Sequence, residues 1–180
     1  MAHKLGAAFH LPHGIANALL VSNVIRYNAN DNPAKQAAFS QYDRPKAKCR
    51  YAEIAKYLGL GGATKDEQVE KLIEWVESLK RDLEIPGSIR EARIDEREFL
   101  AQVETIAVDA FDDQCTGANP RYPLISEFQA ILTDSYYGRP FVELAERQEA
   151  KTSASAAQPG KTHKVSATVE VKVVETLTQK

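Results

Sequence analysis

Sulfur is scarce in this chain, with two cysteines, Cys49 and Cys115, and one methionine in 180 residues. Two thiols are too few for a disulfide framework or an all-cysteine zinc site, and they suit a reducing compartment, so a cytoplasmic setting is expected. Charge of one sign is missing too. Lys plus Arg is 23 and Asp plus Glu is 25, a net charge of -2 with a pI near 6.1. That balance gives neither the basic stripe of a nucleic-acid binder nor attraction to an anionic membrane surface. No apolar run approaches the roughly 18 residues of a bilayer span. The opening Met1-Ala-His-Lys-Leu-Gly6 lacks the apolar stretch of a secretory signal. Neither nucleic acid nor membrane is therefore expected as a partner. What is present is ordinary for a globular domain: 43% hydrophobic residues, enough for one substantial core.

Aromatic residues stop at Phe141. Residues 1–140 form the expected folded unit, and 141–180 an expected low-complexity tail. Within that tail, Lys151-Thr-Ser-Ala-Ser-Ala-Ala-Gln-Pro-Gly160 buries too little apolar surface to offset chain entropy, so disorder is expected over 151–180. Val165, Ala167, Val169, Val171 and Val173 alternate with polar residues at strand period, but one strand without a partner is not a stable unit.

The body carries helical signals throughout. Thr64 and Glu67 have capping-box spacing, and Val69, Leu72, Ile73, Val76, Leu79 and Leu83 follow on one face until Pro86. Asp43, with Pro45 in the first turn, predicts a helix that ends at Gly59. Ser88 and Glu91 repeat the capping spacing for a short turn. Asp95 and Glu98 open a helix carried by Phe99, Val103, Ile106 and Ala110. Leu124, Phe128, Ile131, Leu132 and Tyr136 make a further stripe that stops at Gly138. From Ile15 to Tyr27 almost no polar face is left, so that helix belongs at the centre of its bundle. The expected fold is all-α, a helical bundle.

Three of the four histidines, His3, His10 and His13, lie near the start of the chain. Imidazole ligates iron and zinc, so the cluster raises a metal reading. The spacing is not a helical ligand pair. Pro12 keeps the chain at His10 out of the right-handed helical region, and His13 stands at the N-terminus of the buried helix. Nothing nearby is expected to supply a carboxylate ligand, and from spacing alone ordinary loop histidines are the simpler reading. Gly59-Leu-Gly61-Gly62 follows a helix and lacks the Lys-Ser/Thr ending of a phosphate loop, so a helix–helix turn is expected. Cys115 sits in the polar loop Asp112–Arg121, where a lone thiol is more often a bystander than a nucleophile. The acidic residues fall mostly on helix faces expected to be solvated, and Trp75 is expected to be a partly buried packing residue.

Four stretches carry more. Met1-Ala-His-Lys-Leu-Gly-Ala-Ala-Phe-His-Leu-Pro-His-Gly14, Asn23-Val-Ile-Arg-Tyr-Asn28, Ala110-Phe-Asp-Asp-Gln-Cys-Thr-Gly-Ala-Asn-Pro-Arg121 and Tyr136-Tyr-Gly-Arg139 closely resemble the iron-dependent alcohol dehydrogenase family. The resemblance is to the C-terminal end of its bifunctional aldehyde–alcohol dehydrogenase branch, and covers about residues 1–140 in order. It implies an all-helical metal-binding domain that, in the family, follows a nucleotide-binding α/β domain.

The resemblance also implies roles. In the family an Asp and three His hold iron, and His13 matches the last of these ligands. The preceding His ligand would fall just upstream of Met1, so the metal shell is expected to be incomplete here. His3 matches a non-ligand histidine beside nicotinamide and substrate that is assigned to proton transfer, which makes it both the catalytic and the cofactor-binding candidate. Cys115 matches a residue near the substrate pocket, and His10 carries no role.

Iron, with zinc as the alternative, and NAD are the implied cofactors of the full-length parent, and a small alcohol or aldehyde its substrate. The implied reaction is ethanol–acetaldehyde interconversion in fermentation, in a homo-oligomeric parent that also bears a CoA-acylating aldehyde dehydrogenase. Met1 corresponds to an internal methionine of the family pattern, which leads to the expectation of a gene fragment or displaced start, inactive alone. The competing expectation is a non-catalytic helical module that packs against another chain through apolar surface such as that of residues 15–27.

Overall fold

The computed structural model describes residues 1–31 and 46–156. Seven α-helices run in chain order among them: α1 (Ala2–Phe9), α2 (His13–Asn28), α3 (Ala47–Tyr57), α4 (Lys65–Asp82), α5 (Glu96–Phe111), α6 (Ile125–Tyr136) and α7 (Leu144–Ala156). No strand occurs among the described residues, as the helical periodicities led us to expect.

α2 is the hub. It touches α1, α3, α4 and α6, while α5 packs on α6 and α1. Its lack of a polar face is the cause, because Ala16, Leu19, Leu20, Ile25 and Tyr27 are buried in different directions. Leu19 and Leu20 join Leu5, Phe99, Ile106 and Leu132 in the main core. Ile25 meets Val69 and Ile73 of α4, and Tyr27 meets Ile131 and Phe141.

The local signals translate directly. Thr64 Oγ1 accepts the Glu67 N–H at 3.2 Å and the Glu67 carboxylate accepts the Thr64 N–H, closing the capping box at the start of α4. Asp95 accepts the N–H groups of Arg97 and Glu98 at the start of α5. Ser88 Oγ accepts the Glu91 N–H at 3.1 Å, and the Glu91 carboxylate accepts the Gly87 N–H at 2.8 Å. The segment between α4 and α5 is then tied to the end of α6, where Ile89 and Arg90 donate to the carbonyls of Ser135 and Tyr136. The glycine run after α3 is a helix–helix turn. At Gly62, φ is +100° and a Cβ would lie 2.8 Å from the Gln68 nitrogen, so only glycine fits.

Four expectations need correction or fall elsewhere. The stripe on α4 does not stay buried to its end: Leu79 is 42% exposed and Leu83 61% exposed. The aliphatic stem of Lys80 lies inward instead, with its ammonium on Glu77 at 2.9 Å. Lys46 holds the N-cap position of α3, without a side-chain cap bond, and Asp43 and Pro45 lie outside the described residues.

Packing also continues past residue 140. Phe141 meets the Tyr27 ring edge-on at 5.6 Å, Glu143 pairs with Arg121, and Arg147 pairs with Asp134. The loss of aromatics marked the boundary too early because the contacts that follow are mostly polar. α7 runs through Lys151–Ala156, a stretch whose alanines favour helix. Residues 157–180, with the alternating valines, lie outside the described residues.

Candidate metal and substrate site

The α1–α2 hairpin brings the histidines together. α1 ends at His10, whose φ of 53° is left-handed, and Leu11 N–H then bonds back to the Gly6 carbonyl at 3.1 Å. Gly6 permits this tight return, since a Cβ there would sit 3.1 Å from the Leu11 carbonyl oxygen. Pro12 next starts α2 in extended backbone, and His13 becomes its first helical residue. The result is a stack of the His3 and His13 rings, 4.6 Å between centroids and 20° from parallel. Asn17, one turn on, lies with its amide nitrogen 3.0 Å from His13 Nε2 and donates to the His13 carbonyl at 3.0 Å. His10 stays outside this group, exposed on the helix end.

The opposite wall is the loop after α5. Asp113 accepts the Cys115 N–H at 2.9 Å, an Asx turn that Asp two residues before a loop cysteine favours. Its other carboxylate oxygen is 3.9 Å from His3 Nδ1 and 3.7 Å from Lys4 Nζ. The bond from the Cys115 backbone, with the thiol and the Lys4 charge in support, holds the Asp113 carboxyl below its ordinary range. The same carboxylate, hydrogen-bonded to the thiol, pushes Cys115 up. A thiol held in this way is a poor nucleophile. A hollow of about 140 Å³ opens here, lined by His3, Cys115, Asn119, Tyr27 and Phe128 among others.

Buried polar groups hold that loop in place. Thr116 Oγ1 donates to the Ala110 carbonyl at 2.6 Å. Asn28 and Asn119 exchange amide hydrogen bonds at 3.1 and 2.8 Å. Arg121 donates to the Tyr27 carbonyl at 3.1 Å and grips both Glu143 oxygens, with its guanidinium 4.3 Å over the Tyr27 ring. The Tyr27 hydroxyl donates to Glu127 at 2.9 Å, and burial pushes this phenol's pKa up.

Sequence reasoning singled out His3, His13 and Cys115 and missed this scaffold. One expectation fails here. A carboxylate does reach the histidines, because Asp113 arrives through tertiary folding. Most of the described acidic residues are exposed, as expected, while Glu127, Asp134 and Glu143 are buried and each faces an arginine or tyrosine. The Asn-Pro-Arg run was the available signal for Arg121, but its partner Glu143 lies 22 residues on and outside any local pattern.

This chain matches the Fe-containing alcohol dehydrogenase family, C-terminal, over residues 1–136. It belongs to that family. It is 62% identical over 169 residues to the bifunctional aldehyde-alcohol dehydrogenase AdhE of Escherichia coli K12, covering 93% of the chain and 19% of that protein. That likeness reaches past residue 140. An aldehyde-alcohol dehydrogenase of Clostridium acetobutylicum is 47% identical over 140 residues, 78% of the chain and 16% of that protein. Among solved structures, a 1,3-propanediol oxidoreductase matches with a TM-score of 0.59 at 29% identity, covering 75% of this chain and 31% of that one. The chain thus spans a fifth or less of the length of these two curated relatives. Its homologues are oxidoreductases of the alcohol dehydrogenase type, and the family carries iron.

The described residues do not complete an iron site around His13. The His13 Nε2 atom faces the Asn17 amide, His3 lies flat against the ring, and no described group of three His, Cys, Asp or Glu ligand atoms includes His13. They fit one corner of a multi-ligand site and no more.

Proposed function

We propose that this chain is the helical, metal-side part of an NAD-dependent, iron-containing alcohol dehydrogenase that interconverts ethanol and acetaldehyde in the cytoplasm of a fermenting cell. The observation that carries the reading is the stack of His3 on His13 beside Cys115 and Asp113, in a chain 62% identical to part of an aldehyde-alcohol dehydrogenase. His13, fixed at the start of the central helix, supplies one metal ligand. Zinc is the alternative ion, since imidazole accepts both. His3 lies beside the cofactor and carries away the proton released as the alcohol is oxidised, the work of a positioned general base. Cys115 borders the substrate pocket.

Two free thiols, Cys49 and Cys115, support the reducing compartment. Exposed Trp75, Leu79 and Leu83 support a homo-oligomeric whole enzyme. A second reading, a non-catalytic helical module, draws on the apolar hollow of about 470 Å³ that Ala18, Val21 and Val24 of α2 leave uncovered.

The test is to join the chain to the remainder of such an enzyme and compare two variants. His13→Ala should lose bound metal and turnover together. His3→Ala should keep the metal and slow turnover by roughly 10²–10⁴-fold, with partial recovery at higher pH as solvent takes the proton. Elemental analysis beside the pH–rate profile decides it. Metal loss in His3→Ala as complete as in His13→Ala would refute the division of roles, and unaltered turnover in both would favour the non-catalytic module.

A further inference from the structure

The group formed by His3, Asp113 and Cys115 has a property that the dehydrogenase reading does not use. An imidazole nitrogen, a carboxylate oxygen and a thiol sulfur from two separate segments lie within 4.8 Å of one another. Their local bonds already separate the donors. One Asp113 oxygen is taken by the Cys115 N–H, and the other faces His3 Nδ1 at 3.9 Å. Around a tetrahedral ion of zinc size, N, O and S donors stand roughly 3.3–3.8 Å apart, so closing the triangle needs side-chain movements of about 1 Å. The open side of the group leaves room for them, since Cys115 is exposed and the His3 side chain is 59% exposed, with His13 packed on one face of the His3 ring.

We propose that His3 Nδ1, Asp113 Oδ2 and Cys115 Sγ bind one divalent cation of the zinc class, without His13 as a ligand. A mixed nitrogen, oxygen and sulfur set selects such borderline-soft ions over magnesium or calcium, which take oxygen donors. Three protein ligands at a solvent-open position leave the fourth place to water. Binding involves no change of oxidation state. The Cys115 S–H bond breaks, its proton passes to the buffer and a sulfur–metal bond forms. The Lys4 ammonium, 3.7 Å from Asp113, competes for the same carboxylate and swings out to solvent as the ion enters. Binding itself does not depend on the dehydrogenase reading. If that reading holds, an ion here occupies the imidazole assigned to proton transfer, and the site is inhibitory.

Cobalt is the spectroscopic probe, titrated into the 180-residue chain. One equivalent should produce the near-ultraviolet thiolate-to-cobalt charge-transfer band, release about one proton per ion and be displaced by zinc. Cys115→Ser should abolish the band. His3→Ala and Asp113→Asn should weaken binding at least about tenfold. Cys49→Ser and His13→Ala should leave the band unchanged. Circular dichroism checks each variant's fold, and the exposed Cys115→Ser substitution carries the test if Asp113→Asn unfolds. A missing band, a band that survives Cys115→Ser, or one lost with His13→Ala or Cys49→Ser would overturn the proposal.

Discussion

Arg121 shows how much of this molecule rests on single buried polar residues. Its side chain is 5% exposed and that of Glu143 10% exposed, so neither charge has water to fall back on. Removing one partner strands the other, which costs about 3–5 kcal/mol. Urea denaturation of Arg121→Ala should show a loss of that size, and a change under about 1 kcal/mol would mean the pair is dispensable. Glu77 gives a milder case. Burial alone would raise its carboxyl, but hydrogen bonds from Ser22 at 2.5 Å and Lys80 at 2.9 Å outweigh this and hold it below the ordinary range. A carboxyl lowered by folding adds stability above its unfolded value, near ~4.3. That stability is lost as pH falls through the lowered folded value. Glu77→Gln should therefore flatten the acid side of the stability–pH curve, and an unchanged slope would contradict the assignment. Residue type and motif singled out His3, His13 and Cys115, which the fold brings close together. Asp113 and Arg121 were not legible, because their roles arise only when residues some 22 to 110 positions apart meet.

Helices were the easiest features to read, since their signals are local. The Thr64–Glu67 box, the Asp95 cap and the stripe of α6 each specify a boundary within four residues of the side chains involved. Thr64→Ala should cost about 1 kcal/mol by thermal or urea unfolding, the usual worth of an N-cap oxygen. No measurable loss would mean that the Gly62 turn alone holds the start of α4. Where apolar periodicity outran burial, at Leu79 and Leu83, the helix goes on past its partners, a tertiary fact that periodicity does not encode. α7 was missed for the opposite reason. Its weak amphipathicity resembles a tail, while polar contacts from Glu143 and Arg147 fasten its start.

At the scale of the whole molecule, one apolar helix organises the bundle, and its N-terminus presents His13 to a second imidazole. On the proposed reading this arrangement is the helical side of a dehydrogenase site, and no strand occurs among the described residues. Family membership and the all-helical class were both legible, the first from motifs at the histidine hairpin and the cysteine loop, the second from period. The decisive measurement is NADH formation from ethanol with added iron, by the purified 180-residue chain and by the same chain fused to the remaining part of such a dehydrogenase. The isolated chain should form no NADH above a His13→Ala control, and the fusion should form it steadily. Steady NADH formation by the isolated chain, or none by a folded, metal-loaded fusion, would contradict the assignment of this chain as the incomplete metal side of an alcohol dehydrogenase.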